Sequence, residues 1–150
     1  MVLSGKSRVY GLLGDPVAHS LSPLMQNHAF QSHGIDAIYA PFHVAAEKLP
    51  AAVAGLRALD VAGVNVTIPH KETILPLLDR VDPSAQLIGA VNTVVNNRGM
   101  LTGFNTDATG FISSVKQDLK FSPAGHEVLV LAMAQNGHLI HNPKSLPHHH

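Results

Sequence analysis

The chain has 150 residues, of which 45% are hydrophobic and 13% are charged, and ten Lys and Arg balance ten Asp and Glu. This length suits about one domain, and so little charge excludes a disordered chain. Zero net charge argues against a nucleic-acid-binding face, and no apolar run approaches the roughly 20 residues of a membrane span. The chain has no cysteine, so cysteine usage does not indicate its redox compartment, and the cytoplasm is taken as its location by default.

Short apolar runs alternate with helical patterns along the chain. Strands are predicted at 9–14, 35–44, 61–66, 91–95, 100–104 and 127–131. Helices are predicted at 22–33, 45–59, 69–78, 83–88 and 105–119. This alternation predicts an α/β fold, a three-layer α/β/α sandwich around a mixed, mostly parallel six-stranded sheet.

Individual residues refine these elements. Pro41 indicates that the second strand lies at an edge of the sheet, and Pro50 indicates a later start for the second helix. Ser22 is predicted to cap the first helix. Residues 96–99, Asn-Asn-Arg-Gly, are typical of a hairpin turn between the two strands that flank them.

The periodic pattern ends after Leu131. Residues 132–150 hold two prolines and end in three histidines. The spacing of the histidines in this segment matches no common zinc pattern, and no cysteine or acidic residue accompanies them, so no metal site is predicted. We expect 132–150 to be a non-native tail that ends in a His tag.

Four polar segments interrupt the apolar pattern beside predicted strands, at 20–23, 65–71, 90–93 and 103–107. In open α/β sheets, ligands bind outside the carboxyl ends of the strands. Lys71 falls in the first turn of the predicted helix 69–78, where the helix dipole disfavours a cation. Such breaches of local rules tend to mark functional sites. The alternative is a lysine that is simply solvated at the surface.

Other polar residues of these segments fit both structural and functional roles. Asp107 lies in the first turn of its helix, where an acid is favoured, so capping explains it. Brought beside Lys71, however, it would form an acid–base pair. Ser20 exceeds what a single cap at Ser22 requires, and the free N–H groups of a helix start suit a carboxylate ligand. Taken singly, Thr67 and Asn92 are explained by strand ends and turns.

Together, the polar segments and the residues beside them resemble the substrate-binding motifs of shikimate dehydrogenases. The matching runs are GDPVAHSLSP at 14–23, NVTIPHK at 65–71, GAVNT at 89–93 and GFNTD at 103–107. All of them occur in the order of that family and at about its spacing. The resemblance extends from about residue 8 to residue 131.

The resemblance implies an NADP-dependent, reversible reduction of 3-dehydroshikimate to shikimate, a step towards chorismate and the aromatic amino acids. It implies that Ser20 and Ser22 hold the substrate carboxylate. It also implies that four residues contact the substrate hydroxyl groups: Thr67, Lys71, Asn92 and Asp107. Lys71 and Asp107 would form the catalytic pair at the reacting oxygen.

The sequence departs from the family after residue 131. In the family, a Gly-rich turn follows the first strand of a separate NADP-binding domain, whereas residues 132–137 hold a single glycine here. We therefore expect a substrate-binding domain at 1–126 and a remnant of the first strand of the cofactor domain at 127–131. We expect no cofactor-binding residues, no tight binding of NADP and no activity of the chain alone.

Two other hypotheses stay open. One is a fragment of a quinate/shikimate dehydrogenase, which has the same fold and a broader choice of substrate. The other is a non-catalytic module that forms a homo-oligomer through surface exposed by truncation, with the strand at 127–131 pairing with a second copy.

Overall fold

The structure is a computed structural model that describes residues 3–122, 132–133 and 139–140. The chain divides into two units, Met1–Gly110 and Phe111–His150. The predicted strand at 127–131 lies outside the described residues, as does most of the predicted tail. Two short strands of the second unit, β7 (Ala132–Met133) and β8 (Leu139–Ile140), pair antiparallel in a sheet of their own.

The other strands are β1 (Arg8–Gly14), β2 (Ala37–His43), β3 (Gly63–Val66), β4 (Arg80–Val81), β5 (Thr93–Asn97) and β6 (Met100–Phe104). The α-helices are α1 (Ser22–Ser32), α2 (Leu49–Ala58), α3 (His70–Thr73), α4 (Pro83–Ile88) and α5 (Asp107–Gln117). Two 3-10 turns, Ala46–Lys48 and Leu75–Leu77, precede α2 and follow α3.

The main sheet has six strands in the order β2-β1-β3-β5-β6-β4. Three neighbouring pairs are parallel (β1 with β2, β1 with β3, β4 with β6), whereas β5 runs antiparallel to both β3 and β6. The predicted mixed, mostly parallel six-stranded sheet is therefore confirmed. One strand of this sheet, β4, was not predicted from the sequence, because its two residues are too few to show an apolar period.

Side chains that alternate along β1 reach two apolar clusters on opposite faces of the sheet. Leu13 belongs to the larger cluster, with Val53 of α2. Leu12 belongs to the smaller one, with Tyr39 and with Phe30 of α1. Helices thus cover both faces, which gives the predicted three layers.

Proline decides where two of the helices begin or end. The second helix begins at Leu49, so Pro50 lies in its first turn, as the sequence indicated. The predicted helix at 69–78 is wrong, because only His70–Thr73 is α-helical before a 3-10 turn takes over. Pro76 explains the change, since it has no N–H for the helical hydrogen bond to residue 72.

The hairpin between β5 and β6 has the predicted turn. Arg98 and Gly99 have φ angles of 54° and 88°, and two successive positive values define the two-residue type I′ turn that suits twisted strands. The turn sets the register in which Thr93 lies opposite Phe104.

Strand β2 lies at an edge of the sheet, as Pro41 indicated. The side chain of Asn27 on α1 bonds to both main-chain groups of Tyr39, accepting from its N–H at 2.9 Å and donating to its C=O at 2.9 Å. A neighbouring strand would use these same groups, so Asn27 occupies part of the free edge and ties α1 to it.

Replacing Asn27 by alanine is expected to lower the free energy of unfolding by about 1–3 kcal/mol, because two main-chain groups lose their partner. Urea denaturation measures this loss. Gln31→Ala, at an exposed position of the same helix, is the control and should change stability by less than about 0.5 kcal/mol. Equal effects of the two substitutions would contradict the role given to Asn27.

Candidate active site

Three of the four polar segments, 65–71, 90–93 and 103–107, meet at one end of the sheet. Strands β1 and β3 run parallel, so the segments that follow them leave from neighbouring positions, and Asp15 N–H donates to Ile68 C=O at 2.9 Å between them. Strand β5 runs the other way, so the segment that precedes it reaches the same edge. The end of β6 lies there too, because Phe104 pairs with Thr93.

Lys71 and Asp107 form an ion pair at this edge, with Nζ 2.5 Å from Oδ2. The side chain of Lys71 is 34% exposed and that of Asp107 is 56% exposed, so both charges remain within reach of a ligand. The second carboxylate oxygen, Oδ1, accepts from Nδ2 of Asn92 at 2.7 Å. Residues 36 positions apart in the chain thus share one polar cluster.

Main-chain bonds hold the members of this cluster in place. Val91 N–H donates to Lys71 C=O at 2.8 Å and so fixes α3 beside the start of β5. Asn105 donates from Nδ2 to Ala90 C=O at 3.0 Å, and its Oδ1 accepts from Ala108 N–H at 3.2 Å. Asn105 therefore caps the start of α5 and sets the position of Asp107 two residues later.

The dipole of the short helix α3 affects Lys71 less than the sequence predicted. Pro69 precedes the helix, and the helix has four residues, so its dipole is much smaller than that of the ten-residue helix that the sequence predicted. The dipole therefore does not single out Lys71. The close carboxylate of Asp107 does so, because it holds the ammonium group in one place.

The carboxyl of Asp107 is more acidic than usual. Partial burial is the largest single effect and would raise its pKa, but the hydrogen bonds from Lys71 and Asn92, with the charge of Lys71, outweigh it and lower the pKa below 3.8. Asp107 is therefore ionised at neutral pH and carries the negative charge of the ion pair.

We expect the Lys71–Asp107 ion pair to persist below pH 3.8 and to break only as the pH falls through the lowered pKa of Asp107. Its contribution to stability is complete above the unfolded value and is lost below the folded one. A carbon-13 NMR titration of the Asp107 carboxyl tests this. A midpoint at or above 3.8 would contradict it. In Lys71→Met the midpoint should move up, because the ammonium group is gone.

The structure contradicts one predicted role at the start of α1, the capping of this helix by Ser22. Leu21 occupies the N-cap position, and no side chain caps the helix, so the predicted capping by Ser22 is wrong. Instead, Ser20 Oγ accepts from the N–H of Ser22 at 3.2 Å. The Ser22 hydroxyl has no hydrogen bond to the part of the chain that the structure describes, which leaves it free for a ligand.

Thr67 lies directly after β3. Its N–H donates to Leu13 C=O at 2.9 Å, and its own C=O accepts from His70 N–H at 2.9 Å. Its methyl group packs on Gly14, where a Cβ would come within 2.3 Å of Thr67 Cγ2. Glycine is therefore required at the end of β1, and Thr67 joins the ends of two parallel strands.

Three polar residues that connect to Asn92 through hydrogen bonds were not assigned a role from the sequence: Tyr39, Asn65 and Thr93. Asn65 donates from Nδ2 to Thr93 Oγ1 at 3.3 Å, and Tyr39 donates from its hydroxyl to Asn65 Oδ1 at 2.8 Å. The one signal in the sequence was a polar residue, Asn65, in the middle of a short apolar strand. Its partners depend on strand register, which the sequence pattern does not give.

A dinucleotide needs a strand-to-helix turn whose glycines let the pyrophosphate approach a helix N-terminus. Of the strand-to-helix turns that the structure describes, the one after β1 begins at a glycine, Gly14, and the space beside that glycine is filled by Thr67. None of the described strand-to-helix turns therefore offers a pyrophosphate an open glycine.

Within the described residues there is no group of three or more histidine, aspartate or glutamate side chains placed to hold a metal ion. No helix in that same part of the chain is long and apolar enough to cross a membrane. The histidines of the predicted tail lie outside the described residues.

A lysine–carboxylate pair at the strand ends of an open sheet is the kind of arrangement at which α/β domains bind small polar molecules. The family model of the shikimate dehydrogenase substrate binding domain matches residues 12–94, which is more than half of the chain. The chain belongs to this family.

Individual relatives agree with the family. Shikimate dehydrogenase (NADP(+)) of Geobacter metallireducens is 60% identical over 131 residues, which are 87% of this chain and 46% of that protein. Among solved structures, shikimate 5-dehydrogenase of Listeria monocytogenes, in complex with shikimate and NAD, is 42% identical with a TM-score of 0.74, and the match covers 86% of this chain and 43% of that one.

A solved structure with a different activity is also similar. The ligand-free 5-ketofructose reductase of a Gluconobacter strain is 38% identical with a TM-score of 0.74, and the match covers 81% of this chain and 43% of that one. The chain thus spans somewhat less than half the length of each of these relatives.

Proposed function

We propose that this chain is the substrate-binding part of an NADP-dependent shikimate dehydrogenase, which reduces 3-dehydroshikimate reversibly to shikimate. The observation that carries the proposal is the Lys71–Asp107 pair, 2.5 Å apart and accessible from solvent, within a chain whose relatives carry this activity. The described residues are proposed to bind the substrate and to transfer the proton. No described residue is assigned to NADP, and the chain alone is expected not to oxidise shikimate with NADP.

Lys71 is proposed as the proton donor. When a carbonyl group is reduced, negative charge develops on its oxygen, and an ammonium group within hydrogen-bond reach of that oxygen can transfer a proton to it. The ionised carboxylate of Asp107 accepts a hydrogen bond from Lys71 Nζ and so fixes the direction of that group. In the reverse reaction, the same pair accepts the proton of the hydroxyl group.

The remaining residues are proposed to bind the substrate. The hydroxyl groups of Ser20 and Ser22 lie at the start of α1, and both are proposed to donate to the substrate carboxylate. Thr67 and Asn92, with Asp107, are proposed to contact the ring hydroxyl groups. Both hydroxyl-bearing and charged residues are needed, because shikimate is a carboxylate with three hydroxyl groups.

Titration calorimetry of the chain with shikimate tests this proposal. Ser22→Ala should weaken binding about tenfold or more, because it removes a hydrogen bond to a charged group. Ser32→Ala, at the other end of α1 where the hydroxyl donates to His28 C=O, is the matched control and should bind as the wild type does. Equal affinities of the wild type and Ser22→Ala would contradict the role of Ser22.

Competing ligands separate the related substrate classes. Quinate is also a carboxylate, so comparable affinities for quinate and shikimate would favour a quinate/shikimate dehydrogenase. 5-Ketofructose has no carboxylate, so it cannot form the charged hydrogen bonds that are proposed for Ser20 and Ser22. Binding of 5-ketofructose in preference to shikimate would contradict the proposal and favour a sugar reductase.

Self-association is a second candidate property of the chain. It is supported by three apolar side chains at the start of α1 that are well exposed, Leu21 (74%), Leu24 (74%) and Met25 (61%). Exposed apolar clusters promote association. Sedimentation velocity should detect a dimer that Leu24→Glu weakens. A monomer at every concentration would exclude it.

A further inference from the structure

A line of hydrogen bonds runs across the sheet to the Lys71–Asp107 pair. The hydroxyl of Tyr39 donates to Asn65 Oδ1 at 2.8 Å, and Asn65 Nδ2 donates to Thr93 Oγ1 at 3.3 Å. The hydroxyl of Thr93 then donates to Asn92 Oδ1 at 3.0 Å, and Asn92 Nδ2 donates to Asp107 Oδ1 at 2.7 Å. We call Tyr39, Asn65, Thr93 and Asn92 the polar relay.

The direction of the relay is fixed at its Asp107 end. Tyr39 is 5% exposed, and burial raises its pKa to about 12, so its hydroxyl stays protonated and available as a donor. At the other end, the carboxylate of Asp107 can only accept. Asn65, Thr93 and Asn92 each have both donor and acceptor groups, and between these two ends one orientation satisfies every bond.

A second contact supports the same orientation of the Asn92 amide. The main-chain N–H of Thr106, which can only donate, lies 3.0 Å from Asn92 Oδ1. Asn92 is 7% exposed, so a rotated amide would leave buried groups unpaired. Rotation by half a turn would also place the amide oxygen against the carboxylate of Asp107, where two acceptors repel each other.

We propose that Tyr39, Asn65 and Thr93 are positioning residues that hold the Asn92 amide with Nδ2 towards Asp107, which leaves the other carboxylate oxygen of Asp107 directed at Lys71. Their importance for substrate binding rests on the function proposed above, whereas their effect on Asp107 does not. Strand register places the parts of the relay together, since Asn65 of β3 lies opposite Thr93 of β5.

The test uses Thr93→Val, which removes the hydroxyl and keeps the branched shape, and Thr93→Ser, which keeps the hydroxyl. Without any substrate, a carbon-13 NMR titration of Asp107 should show a raised pKa in Thr93→Val, because the bond from Asn92 is weakened. Thr93→Ser should titrate as the wild type does. Tyr39→Phe, at the far end of the relay, should move the pKa in the same direction by less.

Shikimate titration supplies the second measurement. Thr93→Val should bind shikimate several-fold more weakly, and Thr93→Ser should bind it as the wild type does. An unchanged Asp107 pKa in both Thr93→Val and Tyr39→Phe would overturn the inference, and if Thr93→Val does not fold, Tyr39→Phe decides it alone. If the wild type does not bind shikimate, the proposed function fails, while the substrate-free titration still decides the role of the relay.

Discussion

Replacing Lys71 by methionine is expected to lower kcat by about 10²–10⁴-fold, because the reaction loses the group that transfers the proton. The assay needs a cofactor-binding partner, which a chimera supplies: the 131 matched residues of this chain replace their counterparts in the Geobacter metallireducens enzyme, to which they are 60% identical. NADP-dependent oxidation of shikimate by the chimera gives the reference rate. KM should change much less than kcat, since several other residues also bind the substrate.

Two further variants separate proton transfer from charge. Arginine keeps a positive charge but stays protonated, so Lys71→Arg should also be slow if Lys71 moves a proton. Lys48→Met, which removes an exposed lysine before α2, should keep the reference rate. Full activity of Lys71→Arg would mean that Lys71 acts through charge alone.

Replacing Ile74 by alanine is expected to lower the free energy of unfolding by about 2–5 kcal/mol. Ile74 is 0% exposed within the larger apolar cluster, and its N–H donates to His70 C=O at 3.0 Å directly after α3. The substitution leaves a cavity beneath the one-turn helix that carries Lys71. Urea denaturation measures the loss.

Two control substitutions provide a scale for this loss in the free energy of unfolding. Ile74→Val removes one methyl group and should cost about 0.5–1.5 kcal/mol. Leu87→Ala, at a position that is 91% exposed, should change stability by less than about 0.5 kcal/mol. If Ile74→Ala costs no more than Leu87→Ala, the core beneath α3 is not packed as described.

Much of the architecture could be predicted because strong local signals agreed with the fold. Apolar runs marked the long strands, Pro41 marked the edge strand, and residues 96–99 marked the hairpin. The meeting of the polar segments 65–71, 90–93 and 103–107 also followed from the sequence, because ligand-binding segments of α/β sheets gather where the strands end. Proximity of Lys71 and Asp107 was expected on this ground and from the family resemblance together.

Other features depend on contacts between residues distant in the chain. Strand β4 has only two residues and exists through its pairing with β6. The helix predicted at 69–78 is interrupted because Pro76 cannot donate a helical hydrogen bond. The predicted capping of α1 by Ser22 does not occur, because Leu21 occupies the N-cap position. The polar relay was not visible, because Asn65 and Thr93 become neighbours only through strand register.

The most direct test of the central claim is a proton–nitrogen NMR titration of this chain with shikimate. The substrate-binding function predicts saturable shifts concentrated at Ser20–Ser22, Thr67–Lys71, Asn92 and Asp107, and their loss in Asp107→Ala while the rest of the spectrum is retained. Binding is expected to be weak, because the described residues form only the substrate side of the site. The absence of saturable shifts, or shifts centred elsewhere on the sheet, would contradict the claim.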